Sequence, residues 1–198
     1  MLTFILGGAR SGKSELATKL AAASGRRVVF IAPMRELDDE MRARVGQHRA
    51  SRPADWLTVE EPIELAGALA EHTRGGDFVV VDCVTAWISN LILDALPAAD
   101  TASVETIDAV LRDVSERVAE LGGWAARFDG DVAIVSNDVG AGVVPAYALG
   151  RVFRDAVGAA NKTVAAAADR TFYVMAGLAL DLRALGALPI DAAAGDAP

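Results

Sequence analysis

Residues 2–23, LTFILGGARSGKSELATKLAAA, decide the fold. LTFIL is an apolar run of strand length, and ELATKLAAA is rich in helix formers. Between them, Gly7-Gly8-Ala9-Arg10-Ser11-Gly12-Lys13-Ser14 satisfies G-x-x-x-x-G-K-[ST] at every fixed position, with a strand before and a helix after. Such a turn leaves several backbone N–H groups unpaired around one concavity. The helix N-terminus adds partial positive charge there. Gly7, Gly8 and Gly12 permit close backbone approach, Lys13 supplies a full charge, and Ser14 offers a hydroxyl to Mg²⁺. The stretch predicts a site for the phosphates of a nucleoside triphosphate.

Four more apolar runs of strand length follow: RVVFIA (27–32), DFVVVDC (77–83), DVAIVS (131–136) and RTFYVMA (170–176). None alternates clearly with polar residues, as expected for strands buried on both faces of a parallel sheet. Helical stretches are expected over 15–23, 38–49, 62–72, 104–121 and 149–168, with Pro62 in a first-turn position. This order predicts an α/β fold: P-loop NTPase-like, RecA-like, with a mostly parallel, doubly wound sheet flanked by helices. One domain over 1–186 is expected, with a flexible tail over 187–198 that is small, polar and acidic.

The chain has 198 residues, 53% of them hydrophobic, enough for a sizeable core and against global disorder. A net charge of -8 argues against nucleic acid as the main partner. The single cysteine, Cys83, has no internal disulfide partner, which suits a reducing cytoplasm. No stretch offers about 18 uninterrupted apolar residues for a membrane span. No charged n-region with an apolar h-region precedes the first strand, so a cytoplasmic location is expected.

Asp82, after four apolar residues near the end of a strand, reads as a carboxylate for Mg²⁺ or as a cap of the next helix. Asp77 reads as the surface acid of the two. The chain has two histidines. His72 sits near the end of a helix, as a partner of its dipole. His48 also falls at a helix end, but Arg49 and Arg52 follow it. Guanidinium forks suit phosphate oxygens, and a neutral imidazole beside them has the chemistry to carry a covalent phosphorus intermediate. SNDVGAGVVP (136–145) reads as a mobile loop at the ligand edge of the sheet or as an ordinary strand-to-helix turn. Arg151 and Arg154 share a helical face, to meet a phosphate or to pair with acids such as Asp155.

Taken together, LDDEM (37–41), HRASRP (48–53), SNDVGAGVVP and RVFRDAVGAANKTVAAAAD (151–169) resemble one family. It is the bifunctional adenosylcobinamide kinase / adenosylcobinamide-phosphate guanylyltransferase of cobalamin synthesis, and the likeness runs from Leu2 to about Arg183. The resemblance implies two reactions. ATP or GTP phosphorylates the terminal hydroxyl of adenosylcobinamide. GTP then transfers GMP to an enzyme histidine and on to the cobinamide phosphate, giving adenosylcobinamide-GDP. The family's histidine falls on His48. Its nucleotide contacts fall on Gly7 to Ser14, on Ala32, Pro33 and Met34, on Arg49, Ala50, Ser51 and Arg52, and on Glu60 and Asp82. Lys13 joins His48 as a catalytic residue, and Ser14 and Asp82 as metal ligands. A homotrimer is the family's usual assembly. A switch NTPase and a plain small-molecule kinase are the competing readings.

Overall fold

The computed structural model describes residues 1–35, 53–97 and 102–195. Strand β1 (Leu2–Gly7) leads through the Gly-rich turn into helix α1 (Lys13–Ala23). Then come β2 (Val28–Ala32), β3 (Leu57–Glu60), α2 (Leu65–His72), β4 (Phe78–Asp82) and α3 (Val84–Ala95). α4 (Val104–Arg127), β5 (Asp131–Asn137), α5 (Ala148–Ala167), β6 (Arg170–Met175), β7 (Leu178–Asp181) and α6 (Ile190–Gly195) complete the order. The strands form one seven-stranded sheet, β3-β2-β4-β5-β1-β6-β7. Every neighbouring pair is parallel except β6 and β7.

The continuous apolar runs follow from burial on both faces. Successive side chains of a strand point to opposite sides, and here both sides are core. Val29, Ile31, Val79 and Val81 face a core shared with α2, α3, α4 and α5. Val28, Phe30, Phe78 and Val80 face the other core, where Ala17 and Ala21 of α1 pack. One turn apart on the helix, these two alanines let α1 lie close to the sheet. On α4, Val114, Val118, Leu121 and Ala125 form the buried stripe. Among the described residues, no helix is long and apolar enough to cross a membrane.

The five expected strands are present, but β3, β7 and α3 were not expected. LTVE in β3 and LALD in β7 are mostly half-buried or exposed edge strands, so they lack the apolar run of the central ones. In α3, buried residues outnumber exposed ones, and VTAWISNLILDA shows little periodicity to mark it as helix. The helix placed from Pro62 begins at Leu65 instead. The Glu61 carboxylate accepts from the N–H groups of Ile63 and Glu64, at 2.8 Å each, and holds a turn ahead of it. The tail contains the short helix α6. The helix expected over 38–49 lies outside the described residues. Asp77 is not a surface acid: it is 2% exposed and pairs with Arg27 at 2.7 Å, so a partner removes the cost of burying it.

Candidate active site

Parallel strands bring their C-terminal ends to one edge. β1 ends at Gly7, beside Asn137 of β5, and β5 lies between β1 and β4, which ends at Asp82. The order therefore places the phosphate loop, Asp82 and Asn137 side by side. They line a cleft of about 510 Å³ with residues 9–15, Met34, Cys83, Thr85, Ala86, Ser89 and Phe153.

The loop's geometry explains two of its glycines. A Cβ on Gly7 would collide with the carbonyl oxygen of Val174 on neighbouring β6. Gly12 caps α1 with φ at +105°, a conformation that disfavours side chains. Gly8 has nothing within 4 Å of where a Cβ would stand, so neither space nor backbone demands glycine there.

Lys13 is 6% exposed, and its ammonium donates to the carbonyl oxygen of Gly8 at 2.6 Å. Burial pulls its pKa below the ordinary lysine value, while Cys83 and Asp82 pull the other way. An anion entering the cleft would relieve that desolvation. The Ser11 hydroxyl, buried in the same loop, has no hydrogen-bond partner among the described residues. It is an unused donor in a place built for an anion. Burial and Asp82 push the Cys83 thiol up to about 11, so it stays protonated at neutral pH and is a poor nucleophile.

A buried polar network joins the strand ends. Thr85 Oγ1 lies 3.0 Å from Ser136 Oγ and accepts from the Asn137 N–H at 2.7 Å. The Asn137 carbonyl accepts from Asn161 Nδ2 at 3.0 Å. Asn137 is thus held by its backbone on both sides while its side chain lines the cleft. Thr85→Val keeps the shape but leaves the Asn137 N–H and the fully buried Ser136 hydroxyl without this partner. It is expected to cost about 1–3 kcal/mol, read as a lower urea midpoint at unchanged slope. An unchanged midpoint would show that the network carries no load.

The structure brings most of the expected site residues to one edge. Ala9 to Ser14, Met34 and Asp82 line the cleft. Ala32, paired with Glu60 at the ends of β2 and β3, stands farther along the same edge, with Pro33 next in the chain. Asn90 Nδ2 donates to the Pro33 carbonyl, and Arg35 forms a forked pair with Asp94, both partners lying on α3. His48, Arg49, Ala50, Ser51 and Arg52 lie outside the described residues. His72 is at the opposite edge: its carbonyl accepts from Arg27, which precedes β2. Arg151 does not meet the cleft; it donates to the carbonyls of Pro145 and Ala146. Arg154 pairs with Asp155 at 3.6 Å. Thr85, Ser89, Asn137 and Phe153 were missed as single residues. Only the flagged SNDVGAGVVP and RVFRD stretches hinted at two of them, because the rest depends on strand order.

A strand, a Gly-rich phosphate loop and a helix, with an acid at a nearby strand end, define a P-loop nucleotide enzyme of RecA-like fold. The chain belongs to the cobinamide kinase / cobinamide phosphate guanyltransferase family, whose model matches residues 3–182. It is similar to the bifunctional adenosylcobalamin biosynthesis protein CobP of Pseudomonas aeruginosa, 39% identical over 183 residues. That alignment covers 92% of this chain and 98% of the relative. The protein of the same kind called CobU in Escherichia coli K12 is 34% identical over 92% of this chain and 100% of its own. In fold alone, it resembles an ATPase of the type III secretion system of pathogenic bacteria. There the TM-score is 0.54 at 13% identity, over 96% of this chain and 59% of the other.

Proposed function

We propose that this chain phosphorylates adenosylcobinamide with ATP or GTP and then transfers GMP from GTP to the product through His48. The observation that carries the reading is one cleft holding Lys13, Ser14 and Asp82 in a chain of this family. In the first reaction the loop N–H groups and Lys13 hold the triphosphate in place. The acceptor hydroxyl oxygen forms a bond to the γ-phosphorus, the bond to the β–γ bridging oxygen breaks, and the hydroxyl proton leaves. In the second, an unprotonated ring nitrogen of His48 bonds to the α-phosphorus and pyrophosphate departs. A phosphate oxygen of the cobinamide phosphate then displaces the imidazole. Both steps depend on positioning and charge neutralisation more than on an acid–base pair.

Among the described residues no three His, Cys, Asp or Glu side chains form a metal cluster. The Ser14 hydroxyl and the Asp82 carboxylate fit Mg²⁺, which takes few protein ligands and completes its shell with phosphate oxygens and water. Bound there, Mg²⁺ would offset charge on the bridging phosphates. Arg49 and Arg52 follow His48 and suit phosphate oxygens. Glu60 and Ala32 to Met34 are assigned to the nucleotide's nucleoside end. His72 stands on the far edge of the sheet, where Arg27 donates to its carbonyl, so it is no rival to His48 for this role. A trimer in the cytoplasm is the assembly proposed. Exposed Met175, Leu178 and Leu180 on the β6–β7 edge support coverage by another copy, and light scattering gives the copy number.

The test supplies cobinamide and follows both half-reactions. ADP or GDP should form with the phosphorylated corrinoid, and pyrophosphate with the GDP adduct. Protonation removes the nucleophilic lone pair, so labelling of the enzyme by GTP is expected to fall as pH drops through the titration of His48. Nucleotide hydrolysis independent of cobinamide, or labelling that ignores pH, would overturn the reading.

A further inference from the structure

We propose that a second hollow, opening off the phosphate cleft, is the seat of a methyl-bearing edge of the acceptor's ring; this rests on the cobinamide kinase reading. The hollow, about 170 Å³, lies between the outer half of α3 and the start of α5. Its walls are Ile92, Leu93, Tyr147 and Leu149. Ser89 and Phe153 line it and also line the phosphate cleft, so the two spaces share a sill.

The line of residues along α3 explains the polarity. Thr85, Ser89 and then Ile92 and Leu93 recur at three- and four-residue spacing and lie along one helix face. Hydroxyls stand near Asp82, and hydrocarbon stands at the far end. A phosphoryl acceptor must turn a hydroxyl toward the phosphates and its bulk away from them. This gradient matches an amphipathic alcohol with a methyl-bearing macrocycle and a hydroxyl on a short arm. Pockets that enclose a drug-sized ligand run to about 300–1,000 Å³. The hollow therefore takes one edge of such a ring; in the loop that leads to Tyr147, Val143 and Val144 are 95% and 57% exposed.

The outer wall is built rather than incidental. A Cβ on Gly150 would fall 2.7 Å from the Tyr147 ring and 2.8 Å from Pro145, so only glycine lets that ring settle against the helix start. Arg151 donates to the carbonyls of Pro145 at 3.1 Å and Ala146 at 2.7 Å, pinning the loop that carries Tyr147. Leu93 and Tyr147 remain 37% and 62% exposed, available to a ligand.

The experiment compares wild type with Leu93→Ser, Tyr147→Ala and the double variant as full-length protein, with Val104→Ser, an exposed position at the start of α4, as a control. It reads KM for adenosylcobinamide and for ATP, direct binding of cobinamide by calorimetry, and mass by light scattering. Loss of apolar contact in the double variant is expected to raise the corrinoid KM and dissociation constant about tenfold, with the KM for ATP within about twofold. Val104→Ser should leave both unchanged. Unchanged corrinoid binding in the double variant, beside an active wild type, would overturn the subsite and leave the kinase reading standing. A smaller mass for the double variant would make this face a subunit contact and also overturn it. A wild type that neither binds nor phosphorylates the corrinoid would overturn both.

Discussion

Replacing Lys13 by alanine is expected to lower both cobinamide phosphorylation and guanylyl transfer by about a thousandfold, the scale of losing a principal charge stabiliser in a dry site. On the proposed reading both reactions draw on the same phosphate cradle, and the ammonium is already buried at its mouth, 2.6 Å from the Gly8 carbonyl. Arginine should not rescue, because a planar fork does not fit where a lysine only 6% exposed sits beside Cys83 and Asp82. Stability should move the other way. Burial depresses the lysine's pKa, so the empty protein bears a cost for keeping this group charged. Because the folded form binds fewer protons than the unfolded chain between the depressed value and 10.5, that cost shrinks as pH rises through this window. Lys13→Met should therefore abolish turnover without lowering the melting temperature at neutral pH. Guanylyl transfer that survives in Lys13→Ala would reveal a second nucleotide site. A large fall in melting temperature would mean that the lost activity reports unfolding.

The second large effect separates the two activities. His48→Ala is expected to abolish labelling by GTP carrying the radiolabel on its α-phosphate, while phosphorylation of adenosylcobinamide continues within a few-fold of wild type. A phosphorus–nitrogen bond to imidazole would make the wild-type label acid-labile and base-stable. The position of His72 sharpens the test. It ends α2 beside Arg27 and Asp77, where β2 and β4 begin. The five residues of β4 put roughly 16 Å of strand between that end and Asp82. Label that persists in His48→Ala would require another nucleophile and would sink the histidine assignment. A wild type that phosphorylates the corrinoid but takes no label would be a kinase alone.

The phosphate loop was legible because its signal is local. Eight consecutive residues, from Gly7 to Ser14, determine the turn, the cap and the charge, and no distant contact is needed to recognise them. The central strands were legible for a related reason: burial on both faces removes polar residues from the run itself, as in FVVV before Asp82. The edge strands β3 and β7 carry no such mark, since one side of each faces solvent or a loop. Asp77 misled because a lone acid before a strand looks exposed until Arg27, 50 positions away, is seen to pair with it.

The sequence by itself determined that a Gly-rich phosphate loop stands at the end of the first strand, and its ordered motifs pointed to the family. Only the tertiary structure decided which other residues meet that site. Thr85 reaches Ser136 and Asn137 across about 50 positions because β5 inserts between β1 and β4. The hollow at Leu93 and Tyr147 exists because α3 and α5 pack on the same face of the sheet. Motifs are written in neighbouring residues, whereas convergence depends on strand order and register, which arise from the burial of the whole chain at once.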